Sequence, residues 1–69
     1  MVEVFKTNVG SISNAKLIIQ KLAEEFPAHK INFDLDDCDK ILRVQGSDIS
    51  PEKITQLLIS ENYQCQALE

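Results

Sequence analysis

The chain is poor in the residues that most often carry chemistry. Among 69 residues there is one histidine, two cysteines and two glycines. Gly10 and Gly46 stand alone, so no glycine-rich loop exists to cradle a phosphate. His29 follows Pro27-Ala28 in a connecting segment. It has neither a nucleophile nor an orienting partner nearby in sequence, and reads as a solvated loop residue rather than a catalytic base. The serines Ser11, Ser13, Ser47, Ser50 and Ser60 carry no nucleophile signature and suit capping and turn roles. No enzymatic activity is expected. Cys38 and Cys65 are too few for a disulfide framework, and both are expected to be reduced thiols.

Other absences narrow the partners. Lys and Arg number seven against eleven Asp and Glu, a net charge of −4. Phosphate contacts need a basic surplus, so a nucleic-acid partner is not expected, and neither is docking on an anionic membrane surface. No apolar run approaches the roughly 18 residues that mark a membrane helix. The start Met-Val-Glu-Val-Phe lacks the basic and apolar stretches of a signal peptide. A cytoplasmic location is the expectation. With 43% hydrophobic residues and 26% charged, the composition is that of a folded domain rather than a disordered chain. Its length points to a single domain, residues 1–69.

The patterning of what remains is clear. Val2 to Val9 is rich in β-branched and aromatic residues, with Phe5, Thr7 and Val9 alternating with Lys6 and Asn8, the spacing of a strand. Gly10 to Asn14 reads as a loop in which Ser13 or Asn14 caps the next helix. From Ala15 the apolar residues Ala15, Ile18, Ile19, Leu22 and Phe26 form one helical face, with Leu17 off the stripe. Pro27 ends that helix. Ile31, Phe33 and Leu35 alternate as a second strand. Asp36 to Lys40 is a polar turn, and Ile41 to Gln45 a third strand, which together make a hairpin. Ser50-Pro51-Glu52 is a helix start. Ile54, Leu57 and Leu58 supply that helix's apolar face, Tyr63 lies near its end, and Cys65 to Leu68 is a last strand.

The order β-α-β-β-α-β predicts an α+β, ferredoxin-like fold. Its four-stranded antiparallel sheet runs in the order 4-1-3-2, with both helices on one face. The expected core is Phe5, Val9, Ile18, Ile19, Leu22, Ile31, Phe33, Leu42, Val44, Ile54, Leu57 and Leu58. The acidic run Asp34 to Asp39 fails the calcium-loop pattern, with Asp39 rather than Gly at its sixth position and Gln45 rather than Glu at its twelfth. It reads instead as charge protecting an edge strand and its turn.

Four strings, in order and at the right spacing, resemble the heavy-metal-associated domains of copper chaperones and metal-pumping ATPases. They are Phe5-Lys6-Thr7-Asn8-Val9, Asp39 to Gly46, Ile49-Ser50-Pro51-Glu52-Lys53-Ile54, and Glu61-Asn62-Tyr63-Gln64. The resemblance runs nearly end to end and implies metal transport. It also implies a Cys-x-x-Cys pair after the first strand. Here those two positions fall on Ser11 and Asn14. A hydroxyl and a neutral amide are hard, uncharged ligands that do not replace thiolates for Cu(I) or Zn(II). The family resembled places an aromatic or basic residue over the loop at the position of Tyr63.

Two readings of function follow. In the first, the chain is a degenerate member of that family, without metal or other cofactor, that serves protein contact or regulation. It would pair with another protein or with itself through Ser11, Ile12, Asn14 and Tyr63. In the alternative, it binds or traffics Cu(I) or Zn at a non-standard site involving Cys38 or Cys65. The topology puts both cysteines at the loop end of the sheet but near opposite outer strands.

Overall fold

The computed structural model describes residues 1–36 and 38–68. Asp37, part of the acidic turn, and Glu69 lie outside the described residues. The elements are β1 (Val2–Thr7), α1 (Ile12–Glu25), β2 (Lys30–Asp34), β3 (Ile41–Gln45), α2 (Pro51–Ser60) and β4 (Cys65–Leu68). The sheet order is β2-β3-β1-β4, every neighbouring pair antiparallel. This is the expected ferredoxin-like arrangement.

Strand alternation builds the core. Phe33, Leu42, Phe5 and Ala67 stand opposite one another across all four strands, and Ile31, Val44 and Glu3 form the next row on the same face. On this face Phe5, Leu42 and Val44 are fully buried, in one cluster with Ala15, Ile18 and Leu22 of α1 and Ile54 and Leu58 of α2. The helices therefore cover one face only. The other face carries Lys6, Arg43, Asn32 and Asp34. Its one buried apolar residue is Ile41, which sits in the ladder between Lys6 and Asp34. Of the expected core, Ile19, Ile31, Phe33 and Leu57 are only half-buried, because they lie toward the margins of the two helices and the outer strand.

Two local expectations are corrected. Helix α1 starts at Ile12, three residues before Ala15, and Ser11 rather than Ser13 or Asn14 is its cap. Ser11 is extended, at φ −123° and ψ 150°, and its side chain accepts a hydrogen bond from the Asn14 backbone N–H. The apolar stripe marked only the buried turns of the helix and missed an exposed first turn. His29, expected in solvent, is half-buried. Its ring stacks on Phe26 with centroids 5.6 Å apart and planes 3° from parallel. Its Nδ1 is enclosed, without a hydrogen-bond partner among the described residues. A Cβ built on Gly46 would lie 2.6 Å from that nitrogen, so the glycine at the end of β3 makes room for the imidazole.

Candidate functional site

The end of β1 organises the loop end of the molecule. Thr7, the last residue of β1, is the only buried polar side chain among the described residues. Its N–H donates to the Asp39 carbonyl at 3.1 Å. Its hydroxyl donates to the Lys40 carbonyl at 2.6 Å and accepts from the Val9 N–H at 3.2 Å. One side chain thus ties the β2–β3 turn to the loop that follows β1. Lys40 sits at φ +48°, a left-handed conformation that side chains adopt at a cost. The Lys6–Asp39 ion pair, 3.5 Å and largely exposed, adds little to this join.

The other flank is tied by Asn8, whose Oδ1 accepts from the Gln64 N–H at 2.8 Å. This bond sets the Tyr63-Gln64 segment beside the start of the loop. Asn62, at φ +69°, turns the chain out of α2, and the Tyr63 N–H then donates to the Leu58 carbonyl at 3.0 Å. Tyr63 is half-buried and packs against the core. Val9 is fully buried and anchors the loop from inside.

Between these ties the chain runs exposed from Gly10 to Asn14. The Ser11 Oγ accepts from the Asn14 N–H at 3.1 Å, and the Ser11 carbonyl accepts from the Ala15 N–H at 2.9 Å. Ile12 is 68% exposed, a large apolar side chain presented at the tip. Ser11, Ile12 and Asn14 are therefore contiguous, with the Tyr63 segment bonded to the same loop.

The cysteines also lie at this end and are not joined. Cys65 stands opposite Thr7 across the β1–β4 ladder. It is half-buried, with its Sγ 3.9 Å from Thr55 Oγ1 of α2. Burial pushes its thiol above the ordinary value of 9.0, and the Thr55 contact partly opposes this. Cys38 is exposed on the β2–β3 turn, and both thiols are free. The turn does not stay at the outer edge of the sheet, because the Asp39 carbonyl reaches β1. Among the described residues no three or more His, Cys, Asp or Glu side chains come together as a metal cluster. No described helix is long and apolar enough to cross a membrane.

Thr7 was missed as a site residue in the sequence. Its one signal was a threonine at an inward position of a strand, and its partner carbonyl, 33 positions away, could not be read from that.

No family model matches the chain, and no curated protein matches its sequence. Solved structures do match. Copper chaperone Atx1 from Synechocystis PCC6803, in a trimeric form, superposes with a TM-score of 0.75 at 12% identity, over 91% of this chain and 97% of that one. The yeast copper transporter domain Ccc2a, solved in apo and Cu(I)-loaded states, gives 0.77 at 13% identity, over 99% and 94%. The N-terminal domain of PacS from Synechocystis PCC6803 gives 0.72 at 10% identity, over 100% and 98%. The chain has the heavy-metal-associated fold. Within this fold, Ser11 to Asn14 occupy the join between the first strand and first helix. TM-scores of 0.72–0.77 establish the architecture, and identities of 10–13% leave function to the residues themselves.

Proposed function

We propose that this chain is a divergent heavy-metal-associated domain, residues 1–69, that has exchanged thiolate metal binding for protein recognition in the cytoplasm. The observation that carries this reading is the Ser11 hydroxyl 3.1 Å from the Asn14 N–H. At the two positions where the resembled family holds metal, one side chain serves as a helix cap and the other is a carboxamide. Neither supplies the anionic sulfur that Cu(I) and Zn(II) favour. Between them Ile12 offers an exposed apolar contact, with the aromatic Tyr63 on the adjoining segment. A fixed loop with a hydrophobic tip and a polar surround suits docking on another protein. The sequence offers no nucleophile with a base and an orienting partner, and the reading is contact or regulation rather than catalysis.

The test is a Cu(I) competition titration against a chromogenic chelator, on reduced protein without oxygen. The wild type is expected to bind at micromolar strength or weaker. The Ser11→Cys/Asn14→Cys variant is expected to bind stoichiometrically and several orders of magnitude more tightly. Tight binding by the wild type that is lost in Cys38→Ser or Cys65→Ser would overturn the reading in favour of metal trafficking through a non-standard site. Failure of the double-cysteine variant to bind would show that Ser11 and Asn14 do not occupy the ligand positions.

A further inference from the structure

β2 is an outer strand of the sheet, so one row of its backbone N–H and C=O groups has no strand beside it. Such an edge is a template for another strand. Proteins blunt edges with proline, bulges or charged side chains; of the acidic run expected to guard this edge only Asp34 lies in β2, and whether it repels depends on the charge it meets. Lys30-Ile31-Asn32-Phe33-Asp34 has no proline, and its five residues pair with β3 in unbroken register. Its two charges are of opposite sign and sit at opposite ends.

That pattern is self-complementary. In an antiparallel pair related by a two-fold axis through Asn32, Lys30 of one copy faces Asp34 of the other, twice. Ile31 faces Phe33, twice, and Asn32 faces Asn32. Opposite charges and aromatic–β-branched pairs placed directly across a ladder both favour pairing. A one-residue slip sets Lys30 against Phe33 and turns every side chain to the wrong face. A two-residue slip sets Lys30 against Asn32. Only the register centred on Asn32 satisfies both charges.

The surroundings agree. Ile31 and Phe33 are half-buried, with apolar surface left over after α1 has packed. A groove of about 490 Å³ runs beside this edge, with Ile12, Ala15 and Ile19 of α1 on one side and Phe33 and Leu35 on the other. Ile31 of a second copy would extend the Phe33–Leu42–Phe5 row into that groove. Lys30 makes no ion pair among the described residues. Asp34 Oδ2 is 3.7 Å from Arg43 Nη2, with both side chains more than one-third exposed, so that pair leaves the carboxylate open to a second cation.

We propose that β2 is a self-association edge. Two copies of this chain, each with a four-stranded sheet, pair β2 to β2, antiparallel about Asn32, into one continuous sheet. The surface meets the Ser11–Asn14 loop at Ile12, which also lines the groove, but its test rests on Lys30 and Asp34, so the proposal stands or falls separately from the reading of that loop. Two short strands with one shallow groove each make less than a standard stable interface, so the dimer is weak and depends on concentration and salt.

Sedimentation equilibrium of the full chain over a concentration series up to millimolar tests this. The wild type is expected to show a reversible monomer–dimer equilibrium. Lys30→Asp sets two carboxylates against each other across the dimer ladder, and Asp34→Lys sets two ammonium groups against each other. Each variant alone is therefore expected to associate at least about tenfold more weakly. An equimolar mixture of the two variants restores both attractive pairs and is expected to regain wild-type association as a heterodimer. The mixture uses the same folded proteins, so a folding defect in either variant cannot imitate that result. A wild type that stays monomeric throughout overturns the proposal. So does a dimer indifferent to both substitutions, or a mixture that fails to associate.

Discussion

The Thr7 hydroxyl donates to the Lys40 carbonyl at 2.6 Å across 33 positions of sequence. It also accepts from the Val9 N–H, so one buried oxygen joins the hairpin turn to the loop after β1. Thr7→Val keeps the shape and removes both bonds. A buried group left unpaired costs about 1–3 kcal/mol, so that loss is expected in urea unfolding. Thr7→Ser is expected to keep most of the stability. Hydrogen exchange at the Val9 amide should accelerate in the valine variant more than exchange in the centre of β3.

Ser11 and Ser13 give a sharper contrast. The Ser11 Oγ caps α1, whereas Ser13 is exposed inside the first helical turn. Ser11→Ala is expected to lower stability by about 1 kcal/mol. Ser13→Ala is expected to change it by less than about 0.5 kcal/mol. Chemical denaturation of both variants checks the pair, and equal losses would refute the assignment of the cap.

The sequence made the sheet legible because its strands alternate cleanly. Phe5 and Thr7, Ile31 and Phe33, and Leu42 and Val44 each fixed a face, and the helix between them fixed the order. Pro27 and Pro51 punctuated the helices at their observed limits. The start of α1 was not legible. Its first turn, Ile12 to Asn14, is exposed, so burial left no periodic mark there, and the two expected caps, Ser13 and Asn14, stood within three residues of Ser11, the one that caps. His29 was misread for a different reason. Its environment is made by Phe26, which is near in sequence, and by Gly46, which is not. The loop end showed the same limit. Ser11, Asn14 and Tyr63 could be placed by resemblance, but the Thr7–Lys40 and Asn8–Gln64 ties that hold them exist only in the fold.

The Gly46–His29 contact predicts a coupled pair. Gly46→Ala brings a Cβ to 2.6 Å from the enclosed Nδ1. The imidazole must then leave its stack on Phe26 or the β3 end must shift, at a cost of about 1–3 kcal/mol. With His29→Ala in place the same alanine meets no ring, and its cost should largely vanish. A double-mutant cycle by urea unfolding measures this coupling. Additive effects would show that the close approach is not what restricts position 46.

Gly10 makes the opposite prediction. A Cβ there would meet nothing within 4 Å, and its φ is not positive. Gly10→Ala restricts the unfolded chain without straining the folded one, so it should stabilise by about 0.4–1 kcal/mol. Thermal or urea unfolding checks the sign.

The two thiols should separate kinetically. The thiolate is the reactive form. Cys38 is exposed, while burial holds the Cys65 thiol above its ordinary value and the Thr55 hydroxyl offsets part of that rise. Labelling of the native chain with a thiol reagent at neutral pH should therefore proceed in two phases, the slow one absent from Cys65→Ser. Thr55→Val removes the contact that lowers the Cys65 value, and should slow that phase further. The same shift links to stability. The folded chain holds the Cys65 proton more tightly than the unfolded chain, whose thiol ionises near 9.0. The contribution to stability is then complete below that pH and is lost as pH rises through the folded value. Urea midpoints measured from neutral pH to above 9.0 should fall more steeply for the wild type than for Cys65→Ser. Parallel curves would mean that the thiol ionises alike in both states.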